Sequence, residues 1–315
     1  MLCDMPKLLR YKNFWLHPEK TINHFFLPLF SKVFNEEVLL TNNFNDKVDI
    51  ELISVFKPKE PKLQRISRKI GIEPEFLGKV NKKQFESNST KKVWFSGENK
   101  RPPFQNNYDA YLGYDQSDIS PSFIYLPLWV LNLNWFGEEL THHGINKVSD
   151  QTSLLQKRNI SSSELSRRKF CCIFANNPEN LRMEMIYQLK KIGEVDIFGG
   201  VANNFVKDKL AVGKNYRFII SFENTLYPGY VTEKLLEAYE TTAFPLYWGL
   251  DRDGYFNTDS FLNFTEFPNF KTFMMEVERL NENLDELARK INQPLLQREF
   301  LQHNVVTDLQ KILCV

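Results

Sequence analysis

The chain has 315 residues, of which 42% are hydrophobic; this is too long for one ordinary domain and apolar enough for two cores. Its 40 basic and 39 acidic side chains leave a net charge of +1, which argues against a nucleic-acid or membrane binder working by bulk electrostatics. Met1 to Trp15 carry Asp4, Lys7, Arg10 and Lys12, so they hold neither a signal peptide's apolar stretch nor a span of about 20 apolar residues.

Residues 1–150 alternate apolar runs with polar connectors and are expected to form a first domain. Phe25 to Phe34 reads as a helix, and Val48 to Phe56 and Val93 to Phe95 as strands. In Trp94-Phe95-Ser96-Gly97-Glu98-Asn99 an apolar strand ends in a glycine turn with a carboxylate just past it, the position from which loop residues do chemistry. The paired His142-His143 lack the helical offset of a ligand pair and read as loop. Trp129, Trp135 and Phe136 read mostly as core, with stacking on a bound ligand as the alternative. Residues 151–166, rich in Ser, Gln and Asn and without a sustained apolar period, are the expected linker.

A second domain is expected over residues 167–293. Lys169 to Phe174 is a strand, and its adjacent Cys171 and Cys172 are packing residues rather than metal ligands; Cys3 and Cys314 complete the set with no disulfide framework, which favours a reducing compartment. Asn176-Asn177-Pro178-Glu179 supplies a cap, a first-turn proline and an acid for a helix running to about Lys191. Arg182, just inside that helix, can point with the helix amino terminus at a diphosphate; the alternative is a weak surface pair with Glu179 or Glu184. Val195 to Phe198 with Gly199-Gly200 is a strand and turn. Tyr216 to Phe222 is a strand buried on both faces, and it feeds a polar bend. From Thr232 a helical pattern begins, in which Val231, Leu235, Leu236 and Tyr239 cover the sheet and Glu233 and Lys234 face outward. Phe244 to Trp248 closes the strand–helix–strand unit. Ligands of such sheets bind beyond the carboxyl ends of the strands, with anions at helix amino termini. Helices follow at Phe270 to Leu280 and Leu284 to Ile291, then an amphipathic helical tail over 294–315.

Phe222-Glu-Asn, then Tyr230-Val-Thr-Glu-Lys234, Ala238-Tyr239 and Pro245-Leu-Tyr-Trp-Gly249, resembles the donor-site signature of the α1,3/4-fucosyltransferases of bacterial type. Gly97-Glu98-Asn99, Tyr111-Leu-Gly-Tyr-Asp115 and Tyr125-Leu-Pro-Leu-Trp129 resemble its first-domain landmarks. The resemblance covers most of Val93 to Thr265, while the first ninety residues match only in general pattern. It implies an α/β protein of GT-B fold, two facing Rossmann-like domains with the site in the cleft between them, and a tail that crosses back to the first domain. It further implies an inverting enzyme that moves fucose from GDP-fucose to a Gal-GlcNAc type oligosaccharide or a lipopolysaccharide, with α1,3 or α1,4 linkage. Glu98 matches the family's general base, Arg182 and Lys234 its diphosphate clamp, and Asn224, Tyr230 and Glu233 its nucleotide contacts; packing of the turn is the alternative for Tyr230. No cofactor or metal is implied. Asp251-Arg-Asp253 resembles a metal motif of another glycosyltransferase fold, but it lies where this family does not need one. The expected setting is bacterial and cytoplasmic, with room for peripheral membrane association. The sequons at Asn88, Asn159 and Asn263 carry little meaning without a secretory signal. Two rival readings are a GT-B enzyme using another nucleotide sugar and a glycan-binding protein without catalysis.

Overall fold

The computed structural model describes residues 6–14, 23–43, 45–56, 90–101, 103, 106–115, 120–136 and 149–315. Cys3, Asn88, His142 and His143 lie outside the described residues. The chain divides into two units, Met1–Tyr125 with His303–Val315, and Leu126–Gln302.

The first unit is built on a parallel sheet of order β2-β1-β3-β4-β5-β6, whose strands are β1 Lys7–Lys12, β2 Val38–Leu40, β3 Ile50–Ile53, β4 Lys91–Phe95, β5 Ala110–Gly113 and β6 Phe123–Tyr125. Helix α1, Asn23–Phe34, buries Phe25, Phe26, Leu29, Phe30 and Val33, and Phe26 meets Phe95 edge-on at 5.0 Å between ring centroids. Strand β1 carries Arg10 and Lys12 in a stretch whose charges disguise it as loop. The charges are answered across the ladder: Glu51 of β3 lies 3.6 Å from Arg10 and 3.7 Å from Lys12, and Arg10 donates to the carbonyls of Asn43 and Asp46. The helix Gln302–Leu313 belongs to this unit as well, burying Val305, Leu309 and Leu313, with the Gln310 amide donating to the Val33 carbonyl at 3.2 Å.

In the second unit the parallel order is β11-β10-β9-β7-β8, from β7 Lys169–Phe174, β8 Val195–Phe198, β9 Tyr216–Phe222, β10 Phe244–Trp248 and β11 Leu262–Asn263. Side chains alternate across the sheet as strand geometry requires. Cys171, Ile173, Phe218 and Ile220 join one buried cluster, and Cys172, Tyr216 and Ile219 another. The two cysteines therefore sit in opposite cores, where burial pushes both thiols up.

The division falls at Tyr125/Leu126 and not within 151–166. Leu126 onward follows the second unit because Trp129 inserts among Tyr255, Phe256 and Phe300, with centroids 5.4, 5.2 and 5.9 Å away. The polar segment expected as linker is pinned to the same unit. It forms α2, Gln151–Leu154, and α3, Ser162–Leu165, buries Leu154, Ile160 and Leu165, and exchanges two hydrogen bonds between Ile160 and the Asn292 amide. Among the described residues no helix is long and apolar enough to cross a membrane.

Candidate active site

The strand order of the second, all-parallel sheet reverses at β7, which pairs with β8 on one side and β9 on the other. A crevice opens at such a switch point, outside the carboxyl ends of the strands. A cavity of about 240 Å³ lies there, lined by Asn176 and Asn177 after β7, Arg182 of α4 (Asn180–Leu189), Ser221 and Asn224 at the end of β9, and Glu233 and Lys234 of α6 (Glu233–Glu240). Of the residues expected in donor binding, Arg182, Asn224, Glu233 and Lys234 are thus brought together. Tyr230 is not among the lining residues; it is 2% exposed, in a loop held by the Gly229 amide donating to the Leu250 carbonyl at 2.9 Å.

Arg182 points inward. Its guanidinium donates to the Asn177 and Phe222 carbonyls, each at 3.1 Å, and reaches the Asn224 Oδ1 at 3.4 Å, so its bonds run to the loop ends and not to Glu179 or Glu184 on its own helix. Burial lowers its pKa while Glu179 and Glu223 pull the other way. The cap expected before α4 is absent: Glu179 occupies that position without a side-chain bond, while the Asn176 Oδ1 accepts from the Gly200 amide at 3.1 Å. Gly199, at φ +93°, completes that turn, where a Cβ would stand 2.7 Å from the Ala175 carbonyl oxygen.

Lys234 is half-buried and already engaged. Its ammonium donates to Thr232 Oγ1 at 2.8 Å and Glu233 Oε1 at 3.2 Å, and lies 3.4 Å from Glu223 Oε2. Glu223, whose side chain is 0% exposed, is the residue that sequence reasoning passed over. It accepts from the Thr232 amide at 2.9 Å, the Thr232 hydroxyl at 2.7 Å and the Tyr247 hydroxyl at 3.2 Å. Burial pushes its carboxyl up against the pull of Lys234 and Thr232. Burial also works to lower Lys234, but Glu223 and Glu233 together outweigh it and hold the ammonium above its usual range. Burial opposes ionisation of Glu233 too, yet Lys234 and the surrounding hydrogen bonds hold that carboxyl below its usual range. The signal for Glu223 was present: a carboxylate directly after a strand buried on both faces has no solvent to face.

Lys209, which opens helix α5 (Lys209–Gly213), and Glu237 also line the cavity, as an ion pair at 2.9 Å. Glu237 stands one helical turn beyond Glu233, and that spacing alone puts both on one face. Ser221 lines the cavity with a buried hydroxyl that has no hydrogen-bond partner among the described groups. Asp251 holds a turn, accepting from the Asp253 and Phe256 amides at 3.1 and 3.0 Å.

Glu98 lies in the first unit, half-buried, just past the carboxyl end of β4. Its turn is braced: the Ser96 hydroxyl donates to the Lys100 carbonyl at 2.8 Å, the Tyr114 hydroxyl to Asn99 Oδ1 at 3.0 Å, and Arg101 pairs with Asp115 at 3.1 Å.

Residues 165–291 match the family model described as glycosyltransferase family 10 (fucosyltransferase), C-terminal. The α-(1,3)-fucosyltransferase FucT of Helicobacter pylori is 30% identical over 58% of this chain and 42% of its own. The mouse 4-galactosyl-N-acetylglucosaminide 3-alpha-L-fucosyltransferase 9 is 30% identical over 37% of this chain and 35% of its own. The chain thus spans under half the length of these curated relatives. A crystal structure of an α1,3-fucosyltransferase superposes with TM-score 0.67 at 21% identity, covering 100% of this chain and 92% of the other, and one described with GDP-fucose gives 0.66 over 98% and 90%. The fold is therefore that of these α1,3-fucosyltransferase structures, and over residues 165–291 the family model bears out the resemblance drawn from the signature.

Proposed function

We propose that this chain, whose residues 165–291 match the family 10 fucosyltransferase domain, transfers fucose from GDP-fucose to a hydroxyl of a glycan acceptor. One observation carries the reading: the cavity at the β7/β9 switch point gathers Asn224, Glu233 and Lys234 of the signature, together with Arg182 of α4, around one space of about 240 Å³. Arg182 and Lys234 would meet the diphosphate as charge builds on the leaving GDP, the kind of preorganised stabilisation worth a few kcal/mol per donor. Glu233 would accept from sugar or ribose hydroxyls, and Asn224 from or to the nucleotide. In the proposed inverting step the acceptor oxygen attacks the anomeric carbon of fucose, the bond from that carbon to the β-phosphate oxygen breaks, and the hydroxyl proton passes to Glu98. The α1,3 linkage in the relatives' names supports O3 of GlcNAc in a Gal-GlcNAc unit as the acceptor position, on an oligosaccharide or lipopolysaccharide. No metal is needed in this scheme, because the two cations answer the phosphates.

The test is incubation with GDP-fucose and type 1 and type 2 disaccharides, with linkage read by NMR, alongside calorimetric titration of GDP and UDP. Fucosylated product and selective GDP binding are expected, and binding of UDP but not GDP would remove the fucosyl assignment. Glu98→Ala should lower turnover by about a hundredfold to ten-thousandfold while GDP affinity stays within about twofold. Activity is expected to persist in excess EDTA; its loss would implicate a metal.

A further inference from the structure

The carboxylate of Glu223 does not line the donor cavity, yet it lies against one group that does, the Lys234 ammonium. One oxygen, Oε1, takes the Thr232 amide at 2.9 Å and the Tyr247 hydroxyl at 3.2 Å; the other, Oε2, takes the Thr232 hydroxyl at 2.7 Å and lies 3.4 Å from the Lys234 ammonium. Thr232 Oγ1 thus donates to Glu223 and accepts from Lys234 at 2.8 Å, forming a continuous chain from the buried carboxylate to the cation. A lysine is a point charge on a flexible stem, and it gains most in binding when its rotamer freedom has been removed beforehand.

We propose that Glu223 is a positioning residue for donor binding: through Thr232 it holds the Lys234 ammonium at the cavity wall, ready for a nucleoside diphosphate, without touching that ligand. This rests on the donor-site reading above. A buried carboxylate that only stitched β9, β10 and the start of α6 together would make the same bonds to Thr232 and Tyr247, so the distinguishing quantity is its coupling to Lys234 in ligand binding.

The experiment is a double-mutant cycle on the full chain, with GDP affinity by calorimetry and melting temperature for each protein. Glu223→Gln keeps an acceptor for Thr232 and removes the charge that faces Lys234. It is expected to weaken GDP binding about tenfold, the scale of one charge-assisted hydrogen bond. In a Lys234→Met background the same change should cost less than about twofold, since the group it positions is gone. GDP affinity unchanged by Glu223→Gln, or an equal loss in both backgrounds, overturns the inference. Should Glu223→Gln not fold, Thr232→Val removes the hydroxyl link alone and is held to the same cycle. Wild-type protein that fails to bind GDP overturns the donor-site reading itself, an outcome distinct from a wild-type protein that binds and a cycle that shows no coupling.

Discussion

Two residues, Arg182 in the candidate site and Gly249 beside it, do structural work before any ligand arrives, and each can be tested. Arg182 spans the end of β7's loop and the end of β9 through the Asn177 and Phe222 carbonyls. A lysine has a single ammonium and cannot reproduce that fork, so Arg182→Lys is expected to lose about 1–3 kcal/mol of stability and to weaken GDP binding, read from denaturant melts and titration. Gly249 explains the last letter of the Pro-Leu-Tyr-Trp-Gly signature. A Cβ there would stand 2.2 Å from the Tyr247 hydroxyl, the same hydroxyl that donates to Glu223. Tyr247 is 1% exposed and has no room to retreat, so Gly249→Ala should cost about 1–3 kcal/mol, with urea unfolding as the check.

At the scale of elements, the strands of the second sheet carry their own pH sensor. Asp196 of β8 accepts from Lys169 of β7 at 2.8 Å and from the Tyr216 hydroxyl of β9, and the Lys169 bond, then that of Tyr216, hold its carboxyl below the usual range. Between the lowered folded value and the ordinary one the unfolded chain binds more protons, so this contribution is complete above the unfolded pKa and is lost as pH falls through the folded one. Asp196→Asn is therefore expected to destabilise by about 1 kcal/mol at neutral pH, with the gap to wild type closing in acid, measured by melting temperature against pH. The strands of this sheet were legible because their apolar runs need no partner to be recognised: Lys169 to Phe174, Val195 to Phe198, Tyr216 to Phe222 and Phe244 to Trp248 fall as read. Strand β1 was hidden because Arg10 and Lys12 are matched by Glu51, forty residues on, and pairing across a ladder leaves no trace in local periodicity. For the same reason Lys234 was legible as a cation in the site, while its engagement with Glu223 and Thr232 was not. The polar segment 151–166 misled because its three buried anchors, Leu154, Ile160 and Leu165, are too widely spaced to register as a period.

On the scale of the whole molecule, the second unit is one continuous stretch and the first is not, since residues 303–315 complete the fold of residues 1–125. Leu309 is 0% exposed within that completing helix, so Leu309→Ala should cost the first unit about 2–5 kcal/mol. GDP, by contrast, should raise the stability of the unit that holds the cavity by mass action. Calorimetry of both proteins with and without GDP checks the pair: the substitution should lower one transition and the nucleotide raise the other. During synthesis the consequence is one of timing. The amino-terminal half leaves the ribosome first, but its helix Gln302–Leu313 is still unmade, whereas residues 126–302 have all their parts as soon as they emerge. The half made second is thus the first that can finish folding, and the half made first must wait with apolar surface uncovered until the helix arrives.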